Sequence, residues 1–440
     1  MRRRVVVAVV AAGCLCYPGA ASAGSLFLIK GAGWGSGVGM SQWGAEGFAA
    51  HGWDYRKILA HYYPHTTLSS AADPAVRVLL AEKKTTVAIG SSAPFLLVDA
   101  RGRKVHVPAR TLRFGAHLQL GRHRLVPPVT VEPGVQPLSL EGAPFRGTMT
   151  LVRGSGVLSV VNTVPLELYL RSVVPAEMPR GWLPPAYQAQ AVAARSYVLT
   201  RLDPSAPFDV YPDSRNQVYA GVAAETPATN GAVGSTTGQV LTYEGRAVTA
   251  FYDSDAGGRT AAVEDVYPGR SPVPYLVSVS DPYDSMSPYR HWRLALTAEN
   301  LSARLGSAIE DVLVTHAPSG VATAVELLGR GGRTQIAATD FQQRLGLRSP
   351  RFSISVVALT RASRPDGRRG PVQVEGFVRG IGGVVLQARS RNGSWRQVAR
   401  VHPRADGRFV VRVRSPASAY RVAVERVAGP PLEVGGSRGR

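Results

Sequence analysis

Between Val76 and Val161 apolar and polar residues alternate in short runs: "VRVLLA", "TVAI", "FLLVDA", "HLQLG", "GTMTLVR" and "VLSVVN". Each is bounded by Gly, Pro or Ser, and a period of two predicts short β-strands with one face turned inward. The texture changes at "VPLELYLRSVV", where Leu166, Leu170 and Val173/Val174 share a helical face behind a proline suited to a first turn. Pro175 is expected to stop that helix. "PPAYQAQAVAARSYVLTRL" is the longest helical run, opening at Pro184 or Pro185. Its Ala189, Val192, Ala193 and Ser196 form a small-residue face that admits a close neighbour. "EGFAAHGWDYRKILAHYYPHTTL" predicts short helices ended by Pro64. A second strand-rich stretch includes "GQVLTYEGRAVTAFYDSDAGGRT" and "PYLVSVSDP", and "LTAENLSARLG" and "TDFQQRLGL" read as short helices.

Around "TRASRPDGRRG" the composition becomes that of a linker. The runs "VQVEGFV", "VVLQARS", "GSWRQVARV", "GRFVVRVR" and "AYRVAVERV" then alternate with turn spacing, the pattern of a small antiparallel sandwich. The expected class is α+β: a β-rich core with a few helices and a C-terminal β-sandwich. The expected division is a leader at 1–23, a main domain at 24–352 (24–70 glycine-rich, 71–352 core), a linker at 353–370 and a basic sandwich at 371–440. A chain of 440 residues suits two to three domains of roughly 150 residues each.

The first residues add export to this picture. Arg2 to Arg4, the apolar run Val5–Cys16 and Ala21-Ser22-Ala23 have the form of a signal peptide cleaved near Ala23, which places the mature chain outside the cell or in the wall. The apolar run is shorter than the roughly 20 residues a membrane helix needs. Acylation at Cys14 is the poorer reading, because Ala11 stands where a larger aliphatic residue is expected. Both cysteines, Cys14 and Cys16, lie in this leader, so the mature chain forms no disulfide and no thiolate metal site. The net charge of +21 is uneven: from Arg351 onward 18 Arg face 5 acidic residues. For an exported protein that surplus points to anionic envelope polymers rather than nucleic acid, with an arginine-rich surface reflecting codon bias as the competing explanation.

The common catalytic signatures are missing. "GAGWGSGVGMSQWG" (31–44) breaks the dinucleotide fingerprint at Val38 or Ser36 and contains no Gly-Lys phosphate loop. H-E-x-x-H and the S-x-x-K set are absent. His61 and His65 have metal spacing, but Pro64 interrupts the helix between them, and a surface or packing role is the better reading. Carboxylate chemistry remains, and Glu177 stands out in "YLRSVVPAEMPRGWLPPAYQAQAVAARSY". Apolar neighbours (Met178, Pro179, Trp182) disfavour its charged form and suit a general acid, although on composition alone a helix cap or ion pair is the better explanation of such a residue. Trp182, Tyr169 and Tyr187 are close enough in sequence to stack on sugar rings.

"YLRSVVPAEMPRGW", "AQAVAARSYVL", "NQVYAGVAAETPATNGAVGSTTGQVLTYEGRAVTAFYDSDAGGRT" and "PYLVSVSDPYD" closely resemble the core of the stage II sporulation protein D (SpoIID)/LytB family, from about Gly31 to Phe352. The opening block resembles that family's glycine-rich GxGxGHGVGMSQ-x-GA. The resemblance implies a peptidoglycan lytic transglycosylase with Glu177 as its acid and no cofactor. Such an enzyme cuts the MurNAc–GlcNAc linkage, on strands stripped of stem peptides, and leaves 1,6-anhydro ends. It further implies substrate contacts from Ser36, Met40, Ser41, Gln42, Trp182, Arg195, Tyr219 in "NQVYAG", Ser254 and Thr260. Arg195 would anchor Glu177 or a glycan carboxylate, with a structural ion pair as the alternative. The implied partners are glycan strands, an amidase and, through the basic C-terminal domain, anionic wall polymers.

Three departures qualify the resemblance. Ser36 replaces the block's His, and Asn216 stands where many members have a Cys near a zinc site, so no zinc is expected. The glycine-rich block also precedes the core instead of following it, as a circular permutation would produce. A non-catalytic wall binder that enhances an amidase is the rival reading, and an adhesive C-terminal module is a third.

Overall fold

The computed structural model describes residues 24–329, 331–365, 370–414 and 417–434. The leader, its two cysteines and part of the expected linker lie outside the described residues. Strand outweighs helix, in keeping with a β-rich α+β class. No helix among the described residues is long and apolar enough to cross a membrane.

The first described element is β1 (Gly24–Gly31), which the alternation reading leaves unassigned because "SLFLI" does not alternate. Both of its faces are buried, and a strand covered on both sides reads as a continuous apolar run. Leu26 and Leu28 enter one core with Val357, Val374, Leu386, Phe409 and Tyr420. Phe27 and Ile29 enter another with Leu301, Val325, Phe341 and Phe352. β1 pairs antiparallel with Trp292–Thr297 on one side and Phe352–Ser363 on the other. The five-stranded sheet is completed by Val372–Arg379 and Arg408–Val413.

That sheet corrects the expected linker. Phe352–Ser363 is a twelve-residue strand at the sheet's centre. Its segment "SVVAL" is buried, so the break in composition at Arg364 falls after a structural strand and not between independent units. The C-terminal strands Val385–Arg389, Trp395–Arg400 and Ala419–Val424 form a second sheet that contributes Leu386, Tyr420 and Val422 to the core containing Leu26.

The largest core joins the strands of 75–165 to four helices: α1 (Gln42–Ala50), α2 (Tyr55–Tyr62), α3 (Leu166–Glu177) and α4 (Pro184–Leu199). Helix α4 is buried on nearly every side, and its alanines permit the close approach of its neighbours. The Ser196 hydroxyl accepts the Leu241 N–H at 2.8 Å, tying α4 to the strand Gln239–Tyr243. Pro175 does not stop α3. It lacks the N–H that would bond the Arg171 carbonyl, yet the helix continues to Glu177, and the Met178 N–H still reaches the Val174 carbonyl at 3.2 Å.

Candidate active site

Helix α3 delivers Glu177 at its C-terminal end, where Oε1 accepts the Val218 N–H at 2.8 Å. Burial raises the carboxyl's pKa above the ordinary range and outweighs the opposing Val218 bond. The charge of Asp253 raises it further. The buried Gln42 amide faces the carboxyl and favours its charged form, while Nε2 closes no hydrogen bond of normal geometry. Val218 is itself fixed by its neighbour Gln217, which accepts the Tyr169 hydroxyl at 3.0 Å and donates to Ala194 O at 3.2 Å.

The glycine-rich block forms the opposite wall. β2 (Met40–Ser41) runs parallel to Tyr252–Asp253, and backbone bonds join Trp34 to Asp255, Gly37 to Ala261, Met40 to Phe251 and Trp43 to Ser254. Gly33, Gly35, Gly37 and Gly39 all have positive φ, a conformation open to glycine. Two of them also make room: a Cβ on Gly39 would lie 1.9 Å from the Phe251 carbonyl oxygen, and one on Gly35 2.2 Å from Asp253 Oδ1. The alternate glycines are thus the condition for threading a backbone against the 251–261 segment.

Asp253 is the second acidic group of the site, and sequence reasoning passed over it. Its Oδ2 accepts the Ser36 hydroxyl at 2.6 Å and the Gly37 N–H at 2.7 Å. Burial pushes its carboxyl up to about 6 against those bonds. The signal was an acid in "FYDSDAGG", between two aromatics and a glycine turn in an otherwise basic chain.

The structure sets Gln42 against Glu177, links Ser36 to Glu177 through the charge of Asp253, and places Trp182 edge-on to Trp43, with ring centroids 4.8 Å apart. Ser254 is half-buried, and its carbonyl holds the Trp43 N–H. The remaining expected substrate contacts are corrected. Met40 is wholly buried in the core, and the Ser41 side chain caps α1 by accepting the Gly44 N–H at 3.0 Å. Arg195 is wholly buried and pairs with Glu167 through Nε at 2.7 Å and Nη2 at 2.8 Å. Tyr219 gives its hydroxyl to Asn162 at 2.8 Å and borders a separate cavity of about 570 Å³ with Leu80, Val87 and Phe145. Thr260 is spent on the 277–279 backbone. Their donors and acceptors are satisfied inside the protein, which leaves nothing for a ligand. His61 contacts the Ser280 carbonyl at 2.7 Å, a packing role.

Fold and site together define a protein that presents a largely buried carboxyl of raised pKa at a helix end, beside a glycine-threaded loop. Residues 154–243, which include Glu177, match the family described as SpoIID: Stage II sporulation protein. The chain is 37% identical over 169 residues to the "Amidase enhancer" of Bacillus subtilis (strain 168), covering 38% of this chain and 23% of that protein. It is 29% identical over 245 residues to "Stage II sporulation protein D" of the same organism, covering 50% of this chain and 67% of that protein. The namesake from Bacillus amyloliquefaciens is 29% identical over 246 residues, with the same coverage. The match thus spans under a quarter of the amidase enhancer's length and about two thirds of the sporulation proteins'. No solved structure matches. The chain thus carries a SpoIID domain at 154–243, and the named relatives support its likeness to the SpoIID/LytB family.

Proposed function

We propose that this chain is an exported peptidoglycan lytic transglycosylase that cleaves MurNAc–GlcNAc linkages through Glu177, leaving 1,6-anhydro ends. The observation that carries this reading is Glu177 itself: an acid inside the family-matched region, its pKa raised by burial and by the neighbouring Asp253 charge. The neutral carboxyl donates its proton to the glycosidic oxygen as the bond from the muramic anomeric carbon breaks. The carboxylate so formed accepts the proton of the C6 hydroxyl while O6 closes on that carbon. The proton count balances, and no water enters. Ordinary glycosidases divide acid and nucleophile or base between two carboxyl groups that flank the scissile bond. Here the second acid, Asp253, is bound by Ser36 and Gly37 and acts on Glu177 by its charge.

Trp43 and Trp182 supply aromatic surface beside Gln42 and Glu177 for a sugar ring, and the arginine-rich C-terminal strands suit anionic wall polymers. Mass spectrometry of fragments from intact and amidase-stripped peptidoglycan tests the reaction. Anhydro-muramic ends from wild type and none from folded Glu177→Gln support it; reducing ends indicate hydrolysis. The similarity to an amidase enhancer and the Ser36 substitution favour one second reading, a wall binder that accelerates an amidase. Binding without fragments, with faster amidase turnover, would establish it.

A further inference from the structure

Behind the glycine-rich block lie three aspartates that the reaction does not use. Asp255 (1% exposed), Asp281 and Asp284 (both 0%) each bring one carboxylate oxygen within 4.8 Å of the other two. One oxygen of each is committed: Asp255 Oδ1 to the Gly257 N–H at 2.7 Å, Asp281 Oδ1 to the Tyr62 hydroxyl at 2.9 Å, and Asp284 Oδ1 to Arg290. The Oδ2 atom of all three is buried without a hydrogen-bond partner of normal geometry. Ser41 and the Gly258 N–H are the other polar groups against the cluster. A buried acceptor without a donor costs about 1–3 kcal/mol, and more when charged, so three converging on one point call for a shared occupant.

We propose that Asp255, Asp281 and Asp284 form a calcium site that fastens the glycine-rich block and α1 to the 281–290 loop. The charge fits: Arg290 offsets one of three carboxylates, and a divalent cation offsets the remaining two. Arg351 is nearby, but its guanidinium is spent on the carbonyls of Ala256, Ser319 and Arg259. The donors are all oxygens, which suits a hard cation and not zinc. Ligands of one calcium, at 2.3–2.6 Å each, stand no farther apart than roughly 5 Å, which a separation within 4.8 Å meets, and a set of buried carboxylates suits calcium better than magnesium, which keeps several waters. The three residues come from two parts of the chain, Asp255 from the segment paired with the glycine-rich block and Asp281 and Asp284 from the 281–290 loop. Asp255 is held to Trp34 through the backbone, Asp281 bonds to Gly258 and leaves no room for a Cβ on Gly44, and Asp284 belongs to the loop that carries Arg290.

The test is independent of whether the chain cuts glycan. Purified protein is stripped with a chelator, then titrated with CaCl2 and MgCl2 by calorimetry and thermal melting. One calcium per chain, bound at least tenfold more tightly than magnesium, with a raised melting temperature is the expected result. Asp281→Asn and Asp255→Asn keep the hydrogen bonds to Tyr62 and Gly257 and are expected to weaken calcium binding at least tenfold. In metal-free buffer each is expected to melt above wild type, because a buried charge is removed, and in calcium below it. That reversal distinguishes a ligand from a merely structural aspartate. Absence of calcium binding by wild type, binding undiminished in both variants, or a preference for magnesium would overturn the assignment.

Discussion

Gly39→Ala and Gly52→Ala separate two costs of the glycine-rich block, because the backbone is nearly the same at both positions (φ +82° and +80°) and the surroundings are opposite. Gly52 has nothing within 4 Å of an added Cβ. An alanine there meets only left-handed strain, about 1–2 kcal/mol, partly offset by about 0.4–1 kcal/mol from a stiffer unfolded chain. At Gly39 the same methyl would stand 1.9 Å from the Phe251 carbonyl oxygen and 2.7 Å from its carbon. Both are backbone atoms, so no flexible side chain can give way, and overpacking adds about 1–3 kcal/mol. The carbonyl that must shift also accepts the Met40 N–H at 3.0 Å and the Tyr63 hydroxyl at 2.6 Å, two residues before Asp253. Gly39→Ala should therefore lose roughly 2–4 kcal/mol in urea unfolding at an unchanged slope, against about 1 kcal/mol or less for Gly52→Ala. Lytic activity should fall at Gly39 alone. Equal losses at the two sites would refute close backbone threading as the reason for the glycines.

Glu177→Gln should reduce the rate of anhydro-end formation by about 10²–10⁴-fold. Wild-type activity should fall as pH rises through the raised Glu177 pKa, since the first step needs the acid form; a pH–rate profile of kcat/KM shows it. The same shift has a stability sign. The native state holds this proton to higher pH than the unfolded chain, so its contribution is fully present below the unfolded pKa and is lost as pH rises through the folded one. Glu177→Gln should therefore melt above wild type at neutral pH, with the gap closing in acid. Arg195→Met leaves Glu167 buried without its partner and should cost about 3–5 kcal/mol in denaturant unfolding; a stable variant with an altered KM would restore the substrate reading. Deleting 365–440 should unfold more than a terminal module, measurable as a large drop in melting temperature, because it uncovers Leu26, Leu28 and Val357.

The sequence made much of the scaffold legible where a local signal existed. Helix α4 announced itself through its opening prolines and small-residue face, and the strands of 76–161 through alternation. Long-range pairing has no local signature, so β1 went unassigned and Phe352–Ser363 was split between a core and a linker. The site followed the same rule. Glu177 was marked by its apolar bracket, whereas Arg195 looked available because nothing near it in sequence shows that Glu167 meets it across two helices. Asp253 gains its meaning from Ser36, 217 positions away.

The place of β1 bears on how the molecule comes into being. The first described strand lies between Trp292–Thr297 and Phe352–Ser363, so its hydrogen bonds wait for chain made near the end of synthesis. Pairings of such high sequence separation form slowly, because loop-closure entropy must be met before any contact compensates it. A nascent chain therefore carries "SLFLI" without its strand partners until residues 292–363 have been made, so the closing of this sheet is a late step in folding.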